Sequence, residues 1–441
     1  MTYPALVVHT DADIVPASDL PLYDEVLAWV SERLHPAGFP RPLCKRLATI
    51  IAGLLTAGKA TIGEVTTAVE GLAISQAKGE SIARRLQRML QDARLDPRLL
   101  PLVFRPLLPE LLRNYLLAHA ANAPTPASHH QRFIGVTIVL DESSQADNVH
   151  LLVAGIPIGG VVLPLAVRTW QQNAPLPEGE YWTQVTGLLQ EIQDMLPPEL
   201  REHVLLTADR FYGVPRMLDI LTALGWNWLL RVQGQTRVLL RDGACYPLRT
   251  LVPKPGTRWS SGFSGDPASE EPAAGPVGVF KAVGWRRSQV VAVWANQQAE
   301  PWLLLTSLPA TLARVAEYAQ RWAIERLFLS WKSRGWDIEA SGIRNPQRLG
   351  RLLTGIALAT LWRLAMALPT ALSHLDDLVA RVDHTPRQLP LPGFWAPLRP
   401  WAAKYSLLTW GAKVMQITPP TRTPALCWCL PYWEGRTWKE M

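Results

Sequence analysis

The chain has 441 residues, enough for a large buried core, and its length favours two to four domains. Lysine and arginine outnumber aspartate and glutamate by 44 to 37, and the formal charge of +7 favours a polyanionic partner such as nucleic acid. Four cysteines give neither a disulfide framework nor a C-x-x-C zinc pair, which is typical of a reducing cytoplasm. No signal peptide is predicted, and no membrane segment, because the most apolar run, 151–167, contains several glycines and prolines.

A helical N-terminal DNA-binding domain is predicted over residues 1–125, followed by a linker near residues 121–130 that is rich in small residues and proline. Thr61 is expected to cap a helix, with Glu64 three residues on. The segment 61–89 fits a helix-turn-helix whose second helix carries basic residues that would contact DNA. A solvated basic face on a structural helix is an equal alternative. These residues are Arg84, Arg85 and Arg88.

A catalytic core begins at residues 126–232, where apolar runs and helical periodicity alternate in the order strand-strand-strand-helix-strand-helix-strand. This order matches an α/β fold of the RNase H-like kind, a mixed sheet flanked by helices. The predicted elements are a strand over 133–140, two strands turning at Gly159-Gly160, a helix over 185–196, a strand over 204–208, a helix over 215–224 and a strand over 226–232.

The rest of the chain divides by composition. Residues 233–301 predict a β-rich insertion of short alternating strands. The core resumes over 302–370 with a strand and a long helix, and 371–441 is rich in proline and tryptophan with little periodicity.

Two carboxylates mark ends of predicted strands. Asp141 follows the first strand and Asp209 the fourth, and adjacent strands would bring them together. Converging carboxylates need neutralising cations, and hard oxygen ligands favour Mg²⁺ or Mn²⁺. Two such ions would suit in-line attack on a phosphodiester, which predicts metal-dependent DNA chemistry.

One helix is expected to present four polar side chains on a single face. Tyr318, Arg321, Glu325 and Lys332 lie at offsets 0, 3, 7 and 14, which at helical spacing fall within about 60°. An ordinary amphipathic helix with a charged side gives the same spacing. The strand-end aspartates favour the catalytic interpretation, with Glu325 as the third metal-binding carboxylate.

The spacing Y-x2-R-x3-E-x6-K resembles the signature of bacterial insertion-sequence DDE transposases of the IS-four type, in the retroviral integrase superfamily. Ala208-Asp209-Arg210 looks like the second motif of this family, and the stretch from Trp302 to Ser307 resembles its hairpin-forming members. The first motif departs from the pattern, because Glu142-Ser143-Ser144 follows Asp141 where the family often has threonine; Glu142 or Asp147 would then share its work.

This resemblance implies roles for the site residues. Asp141, Asp209 and Glu325 would be catalytic and hold the metals. The DNA-binding residues implied are Tyr318, Arg321 and Lys332 on the transposon-end phosphates, Arg210 beside them, and Trp302 and Trp322. Trp302 would stack on a flipped base while the DNA end forms a hairpin, with core packing as the alternative for this residue.

The implied function is cut-and-paste transposition at terminal inverted repeats of double-stranded DNA. The enzyme would act as a homodimer, assembled partly through the C-terminal region, in the bacterial cytoplasm at the nucleoid. A catalytically silent DNA-binding derivative is one alternative. A tyrosine recombinase using His384, Arg387 and Tyr405 is another, although Pro386 and the proline-rich context argue against it.

Overall fold

The computed structural model describes residues 14–74, 77, 79–121, 133, 135–174, 176–261, 276–383, 407–418, 421–428 and 430. The chain forms two compact units. The first, here called the helical unit, comprises Met1–Leu117, Glu142–Pro197 and Ala323–Met441. The second, the strand unit, comprises Ala118–Asp141 and Pro198–Trp322.

In the described part of residues 14–121 the chain forms six α-helices, which agrees with the helical N-terminal region that the sequence predicted. Thr61 accepts a hydrogen bond from the backbone N–H of Glu64 at 3.3 Å, so the predicted cap is confirmed. The helices are α1 Leu22–Leu34, α2 Arg41–Ala57, α3 Ile62–Gly71, α4 Gly79–Met89, α5 Leu100–Leu111, α6 Arg113–Ala121, α7 Glu180–Met195, α8 Pro215–Leu224, α9 Ala313–Ala319, α10 Trp322–Leu329, α11 Pro346–Asp383 and α12 Leu407–Ile417.

Among the described residues, eleven strands form one hydrogen-bonded sheet in the order β4-β3-β2-β5-β6-β12-β11-β10-β7-β8, with β9 paired to β11. The β2-β5 and β5-β6 pairs are parallel and β3-β4 is antiparallel, so the predicted mixed α/β sheet with flanking helices is confirmed. The strands are β1 Ile14–Val15, β2 Val136–Gln145, β3 Val149–Ile158, β4 Val161–Gln171, β5 Val204–Ala208, β6 Asn227–Arg231, β7 Arg237–Leu239, β8 Cys245–Pro247, β9 Arg258–Ser260, β10 Val277–Val279, β11 Arg286–Val293, β12 Trp302–Thr306 and β13 Leu426–Cys427.

The core of the helical unit lies between α11, α2, α12 and strand β4. The hairpin of β3 and β4 turns at Gly159-Gly160, as predicted, and both residues have positive φ, which matches the right-handed twist of the strands. The Pro346–Pro369 part of α11 has the length and hydropathy of a membrane span, and 94% of that window is buried in the structure, as in a core helix of a soluble protein.

The strand unit is built around β5, whose five residues are all buried; β6 pairs with β5, and β12 pairs with β6. The segment predicted to be β-rich, residues 233–301, contains β7 to β11. These strands continue the same sheet through the antiparallel pairing of β11 with β12. Val238 of β7, Val277 and Val279 of β10, and Val290 and Ala292 of β11 belong to one buried hydrophobic cluster, which packs these strands together. The predicted domain boundaries stay predictions.

Candidate active site

The two strand-borne aspartates are neighbours in the register of the strand unit. Strands β2 and β5 pair in parallel up to Leu140 opposite Ala208, and the next residues are Asp141 and Asp209. Adjacent strands lie about 4.8 Å apart. The sequence expected β2 to end at Asp141, and that was wrong, because β2 continues to Gln145. The predicted convergence of the two carboxylates is nevertheless supported by the register.

Each aspartate is fixed by a further hydrogen bond. Asp209 Oδ1 accepts from the backbone N–H of Phe211 at 2.9 Å, which forms a tight turn after β5. Asp141 Oδ2 accepts from Arg321 Nη1 at 2.9 Å, and the side chains of that ion pair are only 14% and 10% exposed. A guanidinium therefore neutralises part of the charge that two adjacent carboxylates would otherwise concentrate.

Aromatic rings surround the guanidinium of Arg321. Its Cζ lies 5.9 Å from the ring centre of Tyr318 and 5.6 Å from that of Trp322, which is itself half exposed. Guanidinium groups gain electrostatic attraction over such rings. The contacts hold Arg321 in place beside Asp141, so its position is determined by several groups at once.

Tyr318 is a core residue in this structure. It is 2% exposed and meets Trp302 edge to face, with ring centres 5.1 Å apart. Burial raises the pKa of Tyr318 to about 12, although the nearby cations Arg321 and Arg231 oppose that rise. Trp302 is partly buried on β12 and belongs to the same cluster. The structure thus gives both residues packing contacts, and it does not test the DNA roles implied for them.

Two arginines lie near the carboxyl ends of strands β5 and β6. Arg210 and Arg231 both pair with Glu300, at 3.3 and 3.0 Å. Arg210 is exposed, as its implied contact with DNA would require, whereas Arg231 is largely buried. Reasoning from the sequence missed Arg231 and Glu300, and no spacing or motif in the chain would have singled them out.

The four signature residues do not lie on one helix, and that expectation was wrong. Tyr318 is on α9, which ends at Ala319, and Arg321 lies in a turn that donates from its backbone N–H to Tyr318 O at 3.0 Å. Glu325 is on α10, and Lys332 is on the π-helical turn Ser330–Arg334. Single π turns inside helices are frequent at functional sites.

In the helical unit, Glu325 is exposed on α10 and Lys332 is half-buried. Glu142, the residue after Asp141 on β2, accepts a hydrogen bond from the Tyr181 hydroxyl at 3.1 Å. Asp147 lies in the β2–β3 turn near Ser144 Oγ, 3.4 Å away. Glu142 and Asp147, the carboxylates expected to share the work of the first motif, therefore each have a local hydroxyl partner.

The donor chemistry fits a hard divalent cation that prefers oxygen ligands better than it fits Zn²⁺. Asp141 and Asp209 offer hard carboxylate oxygens, and the described residues show no group of three or more histidine, cysteine, aspartate and glutamate side chains placed to hold a metal ion. The two aspartates are thus a partial ligand set, whose charge is balanced here by Arg321.

The basic helix of the N-terminal region has the amphipathic form that the sequence predicted. In α4, Ile82 and Leu86 are buried, whereas the three predicted DNA-binding arginines are exposed. Arg84 forms a surface ion pair with Glu80, one turn earlier. Packing of α4 on α3 in the same unit agrees with a helix pair. Base or phosphate contacts by these arginines stay a prediction.

The residues predicted for a tyrosine recombinase, His384, Arg387 and Tyr405, lie outside the described residues.

Comparison with known proteins supports a DDE transposase. Residues 180–362 match the family model described as Transposase DDE domain, and this range includes Asp209 and the four signature positions. DDE transposases are nucleases that also join DNA strands, and they generally use divalent metal ions. The match does not test the insertion-sequence family or its Tyr-Arg-Glu-Lys signature.

No curated protein matches the chain. Among solved structures, it is similar to a cryo-EM structure of a piggyBac transposase synaptic complex with hairpin DNA. The two sequences are 12% identical, the similarity covers 90% of this chain and 80% of the other, and the TM-score is 0.35. At that TM-score the two chains share too little geometry for their sites to be compared.

Proposed function

We propose that this protein catalyses cut-and-paste DNA transposition, cleaving the ends of its own element at terminal inverted repeats and joining them to target DNA. The observation that carries the proposal is the register of β2 and β5, which makes Asp141 and Asp209 neighbours on adjacent parallel strands. The match of residues 180–362 to the Transposase DDE domain contains Asp209 and supports a catalytic role for that member of the pair.

Asp141, Asp209 and Glu325 are the proposed metal-binding carboxylates. When bound, two Mg²⁺ or Mn²⁺ ions supply an activated water or 3′ hydroxyl and stabilise the leaving oxygen. A metal ion held by Asp141 would neutralise the carboxylate in place of the Arg321 guanidinium. Arg321 would then be available for a second contact. A guanidinium so released is suited to bidentate contact with a phosphate.

DNA is held in this proposal by cations near the carboxylates and by the arginines of α4. Arg210 is exposed beside Asp209, and Lys332 follows Glu325 on the chain. Phosphate contacts of this kind position the substrate without reading its sequence. A hairpin intermediate, a homodimeric synaptic complex and a bacterial cytoplasmic location belong to the same proposal and follow from the sequence resemblance alone.

The decisive experiment uses the full chain with duplex DNA that carries the inverted repeats flanking its gene. Asp209→Asn and Glu325→Gln are each expected to reduce Mg²⁺-dependent cutting by at least about a thousandfold, since loss of a metal carboxylate removes transition-state stabilisation of several kcal/mol. DNA binding in EDTA should stay within about threefold, because phosphate contacts carry it.

Matched controls are Asp219→Asn on α8 and Glu339→Gln, which remove exposed carboxylates from the same two units and should cut normally. Wild-type protein that binds the repeats but never cuts with Mg²⁺ or Mn²⁺ would favour the silent derivative. Cutting by Asp209→Asn at the wild-type rate would overturn the assignment of the site.

A further inference from the structure

A buried arginine in the helical unit is unlike the other charged groups of the core. Arg363, on α11, is 2% exposed, and its guanidinium Cζ lies 3.6 Å from the ring centre of Trp336, which is fully buried. A guanidinium carbon this close to a ring centre makes a cation–π contact. The Trp336 ring carries no formal negative charge, so it does not balance the positive charge of Arg363.

The strand unit contains a comparable buried arginine, and that arginine forms an ion pair with a carboxylate. Arg314, 1% exposed, lies 2.9 Å from Glu317. For Arg363 the described residues provide no ion pair, and its Nε is buried without a hydrogen-bond partner. Burial lowers the pKa of Arg363 to about 9. A buried cation without a counter-charge is strongly unfavourable, so a negative group is expected beside it.

Within the described residues, the negative charge found near Arg363 is a weak one. Gly58 ends α2 next to Arg363, and the C-terminal end of a helix carries a partial negative charge. That partial charge is about half an elementary charge and leaves most of the cation unbalanced. The space beside the guanidinium is therefore the place to look for an anion.

A cavity of about 90 Å³ adjoins Arg363. One water needs roughly 10–15 Å³ of such volume, so the cavity has room for the five heavy atoms of a tetrahedral oxyanion. Its polar walls come from α2, α11, α12 and the segment after α12. They are Thr56, Arg363, Gln416, Thr418 and Arg422. A second cation thus faces the same space.

Among the polar residues that line the cavity, Arg422 lies on the solvent-exposed side. Its Nη2 pairs with Asp19 Oδ1 at 2.9 Å, and both side chains are mostly exposed, at 64% and 86%. Surface pairs of this kind contribute little and exchange readily with another anion. The pair leaves Arg422 able to turn toward a ligand, and the carboxylate of Asp19 would compete with that ligand for it.

We propose that this cavity binds a small tetrahedral oxyanion of the phosphate class, held by Arg363 from the inside and by Arg422 from the rim. The planar guanidinium presents paired N–H donors that match two oxygens of such an anion. A bound anion would also fasten α11 to α2 and α12. The guanidinium of Arg363 is too buried to reach the backbone phosphate of a duplex, so the ligand is a free anion.

Inorganic phosphate is the probe, titrated into the full chain at constant ionic strength and followed by calorimetry and thermal unfolding. At about 100 times its Kd, phosphate should raise Tm by about 3 °C. Arg363→Met should abolish both the binding heat and the Tm shift. Without phosphate, Arg363→Met should melt no lower than wild type, because an uncompensated buried charge is replaced by an apolar chain of similar length.

Three further variants sharpen the test. Arg363→Lys keeps the charge but not the paired donors and should bind phosphate roughly tenfold more weakly. Arg422→Gln should weaken binding by less than about threefold. Arg351→Met is the matched control on α11: Arg351 donates to Leu90 O at 3.0 Å, so its loss should leave the phosphate response intact.

Phosphate binding that survives in Arg363→Met would overturn the proposal, as would a wild-type protein that shows neither heat nor Tm shift in millimolar phosphate. Competition between a short DNA duplex and free phosphate, lost in Arg363→Met, would overturn the assignment to a free anion. None of these readouts depends on DNA cutting, so failure here leaves the proposed transposition untouched.

Discussion

Replacing Tyr318 by phenylalanine tests the burial of the cluster beside Asp141. The Tyr318 hydroxyl is buried with the rest of the side chain, and its pKa is raised from 10.0 to about 12. Since the folded protein resists forming the phenolate, this residue contributes stability that is complete below pH 10 and is lost as the pH rises through 12. A shift of that size corresponds to about 3 kcal/mol, at 1.36 kcal/mol per pKa unit.

Tyr318→Phe removes the ionisable group and keeps the ring against Trp302. At neutral pH its free energy of unfolding should change by only about 1 kcal/mol. Between pH 10 and 12 the variant should lose less stability than wild type, by up to about 3 kcal/mol. Thermal unfolding measured across this range, together with phenolate absorbance, gives both quantities.

Tyr246→Phe is the control, because Tyr246 is 45% exposed on β8 in the same unit and its removal should leave the alkaline loss unchanged. If Tyr318→Phe and wild type lose stability equally toward pH 12, then Tyr318 is solvated in the folded protein. The packing described for Arg321 and Trp302 around it would then be wrong.

Three other predictions concern the ion pair, the basic helix and the hairpin. Arg321→Gln and Asp141→Asn should each lower stability by about 3 kcal/mol and the double variant by little more than either, and additive losses would refute the ion pair. Glutamine at all three exposed arginines of α4 should weaken DNA binding and reduce the slope of log K against log salt by about 3; an unchanged slope would return them to a solvated face. Trp302→Ala should nick DNA ends and accumulate nicked product, and a normal hairpin yield in a product gel would limit Trp302 to packing.

Local patterns in the sequence were sufficient for most elements near the site. Strand β5 and helix α8 begin and end at the predicted residues, because a short apolar run bounded by polar residues, and a helical period bounded by Pro215 and Gly225, are local signals. The turn at Gly159-Gly160 was equally predictable from its glycines. The position of Asp209 directly after β5 followed from the same signals, whereas Asp141 lies inside β2 and not at its end.

The signature segment shows where local reasoning stopped. Its spacing suits one continuous helix, yet the chain turns at Arg321 and forms a π turn near Lys332. The 60° arc was calculated for an ideal helix, in which the ladder of backbone hydrogen bonds is uninterrupted. Tyr318 and Arg321 are buried in the structure, where this ladder is interrupted. Hydrophobic periodicity cannot distinguish a continuous helix from an interrupted one, since the same residues are apolar in both.

The sequence by itself determined the alternation of helices and strands, the place of Asp209 directly after β5, and the charge that favours a polyanion. Only the tertiary structure decided that Arg321 pairs with Asp141, 180 residues earlier, and that Arg363 is buried over Trp336 beside a cavity. The physical reason is that helices and strands arise from neighbouring residues. The surroundings of a charge are set instead by whatever distant segments pack around it.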